Sequence, residues 1–249
     1  MSRASCLNEI FDHIYCINLE SRPDRRDRMC EIFSLHGIDY NIFKGVRGDS
    51  LRNEKMYKQL YIEKFRRLEP FNGPRIKNKY VLGAVRTKLK ILIDAKRNDY
   101  KKILILEDDL FFHKDFEKKA SLINGLKNWK AIYFGVTQFN WNGLRFGDFY
   151  YKFNLETSRK KLLKNGAFGM FAVGLDCSVF DDLILEIKKY NVPVDNCMMV
   201  LQKKYVDDIY VMYPNLLIPD VRDSDLRRKK NLLRHSKKMR WNLEDYNVQ

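Results

Sequence analysis

Three adjacent carboxylates, Glu107, Asp108 and Asp109, directly follow the apolar run Ile103-Leu104-Ile105-Leu106. A short run of that kind suits a buried strand. Carboxylates at the end of a buried strand are costly unless a cation neutralises them. Side chains at alternating positions share a side, so Glu107 and Asp109 are expected to enter one crevice. Their hard oxygens suit Mg²⁺ or Mn²⁺, which would in turn hold a diphosphate; the plainer role is a helix cap or a solvated turn. Asp223-Ser224-Asp225 is a second acid-x-acid element, with Asp225 and His235 as further candidate ligands. Such triplets are often turns, and a lone histidine in a basic helix is more often solvated.

The hydrophobic pattern supplies the scaffold for these groups. Ile14 to Leu19 is an apolar run suited to a strand; Ser21 and Pro23 then mark a helix start, and His36-Gly37 its stop. A second strand is expected over Tyr40 to Lys44, which makes a β-α-β opening. Residues 45–80 are basic, with Pro70, Gly73 and Pro74 as breakers, and read as loops and short helices over one end of the sheet. Leu82, Val85, Leu89, Leu92 and Ile93 form a helical stripe leading into the Ile103 strand. Further strands are expected at Ala131–Phe134, at Gly166–Gly174 with glycine breaks, and at Ile209–Tyr213, with an amphipathic helix over 178–190. In an open α/β sheet, ligands bind outside the carboxyl ends of the strands, which is where the acidic cluster should lie.

Composition narrows the partners. The 249 residues carry 47 Lys and Arg against 32 Asp and Glu, a net charge of +15 that favours an anionic partner. The five cysteines are dispersed and odd in number, which fits reduced thiols rather than a disulfide framework or a cysteine-based zinc site. The first residues lack the apolar core of a signal peptide, and no apolar run approaches a membrane span. A soluble, cytoplasmic protein is the expectation, and the richness in Lys, Asn, Ile and Tyr suggests an AT-biased genome such as that of a large virus or an AT-rich bacterium.

The order of motifs resembles glycosyltransferase family 25, which includes lipopolysaccharide-type sugar transferases and the collagen hydroxylysine galactosyltransferases. Ile14 to Arg26 is similar to the family's opening, Gly45-Val46-Arg47-Gly48 to its short x-V-x-G segment, and Ile103 to Leu110 to its central ILEDD element. Pro193-Val194-Asp195 resembles its P-V-D box, and Tyr213-Pro214 followed by Asp223 to Leu226 its closing segment. The resemblance implies a GT-A-type single α/β domain over residues 1–221, a Rossmann-like mixed sheet with helices on both faces. Residues 222–249 would form a basic extension, helical and packed on the domain. It also implies a UDP-sugar donor, Mn²⁺ or Mg²⁺ as cofactor, and inversion at the sugar carbon. The acceptor would be a hydroxyl on a glycan or on hydroxylysine of a collagen-like protein. There is one departure: where the family often has a Ser-His pair, this chain has Thr87-Lys88, and Lys88 could meet phosphate as a point charge.

Roles follow for named residues. Glu107, Asp109, Asp225 and His235 are the metal candidates. Asn18, Arg22, Arg26, Val46, Gly48, Lys88 and Asp108 are the nucleotide-sugar candidates, Arg being suited to bidentate phosphate contact. Arg25 and Arg28 are expected on the solvated helix face. Asp195 is the candidate base that takes the acceptor's proton, the alternative being a helix N-cap. Gly166 and Gly169 would let backbone approach the sugar or merely bend a strand. Phe139, Trp141, Tyr150 and Tyr151 would stack on an acceptor or pack in the core, and the basic tail could touch an anionic membrane. The rival class is a nucleic-acid-binding protein or metal-dependent nuclease, against which the spread of positive charge and the want of a recognised motif both weigh.

Overall fold

A computed structural model describes residues 4–65, 76–153, 166–225 and 229–248. The strands are β1 (His13–Asn18), β2 (Asn41–Lys44), β3 (Lys102–Glu107), β4 (Leu110–Phe112), β5 (Ala131–Tyr133) and β6 (Thr137–Gln138). After them come β7 (Arg145–Phe146), β8 (Tyr150–Lys152), β9 (Ala167–Phe168), β10 (Ala172–Asp176), β11 (Ile209–Met212) and β12 (Leu217–Pro219). Eight of them form one mixed sheet in the order β2-β1-β3-β10-β5-β11-β8-β7. β1 runs parallel to β2 and β3, β11 runs parallel to β5, and β10 lies antiparallel between β3 and β5. The carboxyl ends of β1, β3, β5 and β11 therefore lie along one edge.

Strand alternation builds a core on each face. Tyr15, Ile103, Ile105, Tyr133 and Val173 pack with Leu82, Val85 and Leu92 of the helix Lys79–Arg97, and with Leu183 and Leu201 of the helices Phe180–Lys188 and Val194–Lys204. Ile14, Cys16, Leu104, Leu106 and Ile132 pack on the other side with Met29 and Phe33 of the helix Pro23–His36. The α/β class with helices on both faces follows from this alternation.

Gly169 sits at φ +93°, a conformation that side chains with a Cβ rarely adopt, and this breaks the Gly166–Gly174 segment into β9 and β10. Gly166 packs against Met199, where a Cβ would fall 2.1 Å from the methyl carbon. The breakers Pro70, Gly73 and Pro74 lie outside the described residues. All five cysteines are free thiols. Among the described residues no helix is long and apolar enough to cross a membrane.

The C-terminal helix Leu232–Met239 turns Leu232 and Met239 onto Phe111, Ile218, Trp241 and Tyr246. Its apolar face is thus taken up by the domain, and Leu233 remains as its exposed leucine.

Candidate active site

The crevice lies at the carboxyl ends of β1 and β3 and is lined by Gly45, Val46, Gly48, Tyr80, Lys88 and all three acidic residues, with Arg25 and Asp225 at its side. Its back wall is the helix Lys79–Arg97, started by Asn78, whose side chain accepts from the Tyr80 and Val81 amides. Gly83 on that helix lets the loop after β2 come close: a Cβ there would stand 2.6 Å from the Val46 carbonyl oxygen. Thr87 Oγ1 then accepts from the Val46 amide at 2.8 Å, and the Gly45 amide donates to the Asn18 carbonyl at 2.9 Å. Val46 and Gly48 are in this way fixed beside Tyr80.

Each acidic residue meets a different environment. Lys88 is 2% exposed, and its Nζ lies 2.5 Å from Glu107 Oε1. Asp108 accepts from Asn18 Nδ2 at 2.6 Å and from Arg25 Nη1 at 3.1 Å. Burial raises the Asp108 pKa, while Arg25 and the Asn18 hydrogen bond work against that rise. Asp109 Oδ1 is buried without a hydrogen-bond partner among the described residues. Burial first, then the charge of Glu107, pushes the Asp109 carboxyl up to about 7.

Across the crevice stands the Asp223–Asp225 segment, tied to the helix Pro23–His36 by arginines. Arg22 pairs with Asp24, Asp223 and Asp225. Its hydrogen bond with Asp24 leads in holding the guanidinium above its ordinary pKa, and Arg22 in turn holds Asp223 below the usual carboxylate range. Arg25 Nη1 lies 3.5 Å from Asp109 Oδ2 and 3.4 Å from Asp225 Oδ2.

Several expectations need correction here. Arg25 is buried among carboxylates rather than solvated, because it shares a helix face with Met29 and Phe33. Arg26, one residue and about 100° further round the helix, points outward, is exposed and pairs with Asp27. Arg28 is half-buried over the Phe111 ring, 5.4 Å from its centroid. His235 packs 5.4 Å from the Trp241 ring, because its helix buries Leu232, Ser236 and Met239, and it is not a crevice residue. His235 thus stands apart from the other three metal candidates, Glu107, Asp109 and Asp225, which line the crevice, and no group of three or more His, Cys, Asp or Glu side chains is placed to chelate one ion among the described residues.

Asp195 lies in the first turn of the helix Val194–Lys204, whose N-cap is Pro193, and does not line the crevice. Its charge contributes, after burial, to the raised pKa of Tyr133, which ends β5 on the same sheet edge. Tyr151 is core, whereas Phe139 is exposed with Lys238 Nζ 5.1 Å from its ring centroid. Arg25 and Tyr80 are the site residues that sequence reasoning missed.

Known proteins share parts of this chain. The family model for glycosyltransferase family 25, described as an LPS biosynthesis protein, matches residues 11–72. A glycosyltransferase 25 family member of Anopheles gambiae is 32% identical over 130 residues, 49% of this chain and 21% of that protein. Procollagen galactosyltransferase 2 of Homo sapiens is 30% identical over 130 residues, 50% of this chain and 21% of that protein. The chain thus spans about a fifth of the length of these relatives. The crystal structure of a mannose-1-phosphate geranyltransferase from Thermus thermophilus overlaps 80% of this chain and 73% of that one, with a TM-score of 0.38 and 10% identity. In sequence, then, the chain is similar to glycosyltransferase family 25 over residues 11–72, which include β1, β2 and the loop that lines the crevice, and to the family's curated members over about half its length.

Proposed function

We propose that the protein is a GT-A-type glycosyltransferase that moves a hexose, galactose or glucose, from a UDP-sugar to a hydroxyl acceptor with inversion. The observation that carries this reading is a crevice at the ends of β1 and β3 that combines unsatisfied carboxylate with fixed cations, next to a loop within the family-matched segment. The proposed acceptor is a glycan or a hydroxylysine of a collagen-like chain; the collagen-like alternative is supported by similarity to a relative named procollagen galactosyltransferase 2.

The residues present fit a divalent cation. Glu107, Asp108, Asp109, Asp223 and Asp225 meet Arg22, Arg25 and Lys88, which leaves two negative charges in excess once all five carboxylates are ionised, as a bound cation would favour. Asp24 and Lys229, paired to Arg22 and Asp223 at the rim, cancel each other. Asp109, with its orphaned Oδ1, and Asp225 would hold Mn²⁺ or Mg²⁺. Such ions are commonly held by one or two carboxylates, with phosphate oxygens and water completing the shell. The bound ion would stabilise the charge that gathers on the leaving UDP.

The chain's own groups supply the rest. Arg22, which ties the Asp223–Asp225 segment beside the crevice, would meet phosphate only by exchanging one of its carboxylate partners, and Lys88 keeps Glu107 paired. Val46, Gly48 and Tyr80 form the wall against which a uridine would lie. Asn18 fixes the Asp108 carboxylate so that it cannot turn away from Arg25. Asp195 is the proposed base for the acceptor hydroxyl, by its match to the P-V-D box and its place in the first turn of the helix Val194–Lys204.

The test is UDP release from a panel of UDP-sugars with Mn²⁺, with and without EDTA, for the unaltered protein and Asp109→Asn. Release from one sugar, abolished by EDTA and by the substitution, supports the proposal. No release from any donor, together with salt-sensitive nanomolar binding of DNA, would favour the nucleic-acid reading instead.

A further inference from the structure

Arg25 is an unusual choice for the inside of this crevice. A cation in the first turn of a helix is disfavoured by the helix dipole, and burial further opposes its charge. Even so, its side chain is only 9% exposed. Nη1 lies 3.1 Å from Asp108 Oδ1, 3.5 Å from Asp109 Oδ2 and 3.4 Å from Asp225 Oδ2. Nη2 donates to the Asp223 carbonyl oxygen and lies 3.4 Å from Asp223 Oδ2. One nitrogen thus occupies the point shared by carboxylates from two chain segments more than 100 residues apart in sequence. Lys88, by contrast, is matched to Glu107 alone among the described residues.

We infer that Arg25 is an exchangeable counter-cation. A divalent ion engages Asp109 and Asp225 only as the guanidinium gives them up. A diphosphate favours that exchange because it offers Arg25 oxygens of its own in the bidentate geometry a guanidinium matches. Cation and nucleotide therefore bind with positive coupling, and by linkage each strengthens the other equally. The diphosphate half of this inference rests on the nucleotide-sugar reading above; the competition between Arg25 and the cation does not.

The experiment is titration of Mn²⁺ into the 249-residue chain, followed by the paramagnetic resonance signal of the free ion, with and without UDP. Unaltered protein, Arg25→Met and Arg25→Lys are compared. Removing a fixed positive charge beside the ligands should tighten Mn²⁺ binding without UDP about tenfold in Arg25→Met. UDP should strengthen Mn²⁺ binding about tenfold in the unaltered protein, less in Arg25→Lys, whose ammonium lacks the bidentate fork, and hardly at all in Arg25→Met. Unchanged or weaker Mn²⁺ binding in Arg25→Met overturns the inference, as does Mn²⁺ binding to neither protein. Tighter Mn²⁺ binding in Arg25→Met with no UDP binding to any variant upholds the competition and removes the nucleotide-sugar reading. If Arg25→Met is unfolded by circular dichroism, Mn²⁺ should restore its fold, and failure to do so overturns the inference.

Discussion

Arg25 Nη1 stands 3.1 Å from Asp108 Oδ1, and each side chain is 9% exposed, so this ion pair is buried in the wall of the crevice. Removing one partner strands the other without water. Arg25→Ala should therefore lower the unfolding free energy by about 3–5 kcal/mol. Urea denaturation at neutral pH measures this, and a loss below about 1 kcal/mol would place the pair among weak surface bridges instead.

Asp109 makes the opposite contribution. Its folded pKa is raised to about 7, so between the unfolded carboxylate range and pH 7 the folded state holds a proton that the unfolded state has lost. Stability from this group accordingly falls as pH rises through that window. Asp109→Asn removes the effect, and should be more stable than the unaltered protein by about 2–4 kcal/mol at pH 8 and by much less at pH 5. Paired unfolding curves at the two pH values give the difference; a gap that shrinks with rising pH would contradict the raised pKa.

Much of the fold is legible in the sequence because apolar residues alternate or recur cleanly: Ile103 to Leu106 supplies both cores in turn, and Leu82, Val85, Leu89 and Leu92 are all buried on one helix face. The acidic cluster is legible for the same reason, since it follows a run that only a buried strand explains. The arginines are harder to place because charge ordinarily signals exposure. Met29 and Phe33 mark the buried face, and one step of four residues back from Met29 reaches Arg25. The burial of Lys88 against Glu107 depends on how closely the helix Lys79–Arg97 approaches β3, and no local pattern encodes that distance.

Gly83 sets the crevice width. A Cβ 2.6 Å from the Val46 carbonyl oxygen must push the loop or the helix away. Gly83→Ala should cost about 1–3 kcal/mol of stability and weaken UDP binding, read by calorimetry. A stable variant with unaltered UDP affinity would show that the loop does not line the nucleotide.

Asp195 is tested by separating its effect on transfer from its effect on the donor. A base acts on the acceptor hydroxyl, so Asp195→Asn should lower acceptor-dependent turnover by about 10²–10⁴-fold while leaving the affinity for UDP and Mn²⁺ unchanged. Loss of donor binding in this variant, or full turnover, would remove the assignment.

Anomalous diffraction from crystals grown with UDP and Mn²⁺ locates cation and nucleotide together. The expected result is a manganese peak bonded to Asp109 and bridged to the diphosphate, with the uridine beside Val46, Gly48 and Tyr80. A manganese or UDP site elsewhere on the molecule, with Arg25 still lodged among Asp108, Asp109 and Asp225, would contradict both the donor site and the exchange at Arg25.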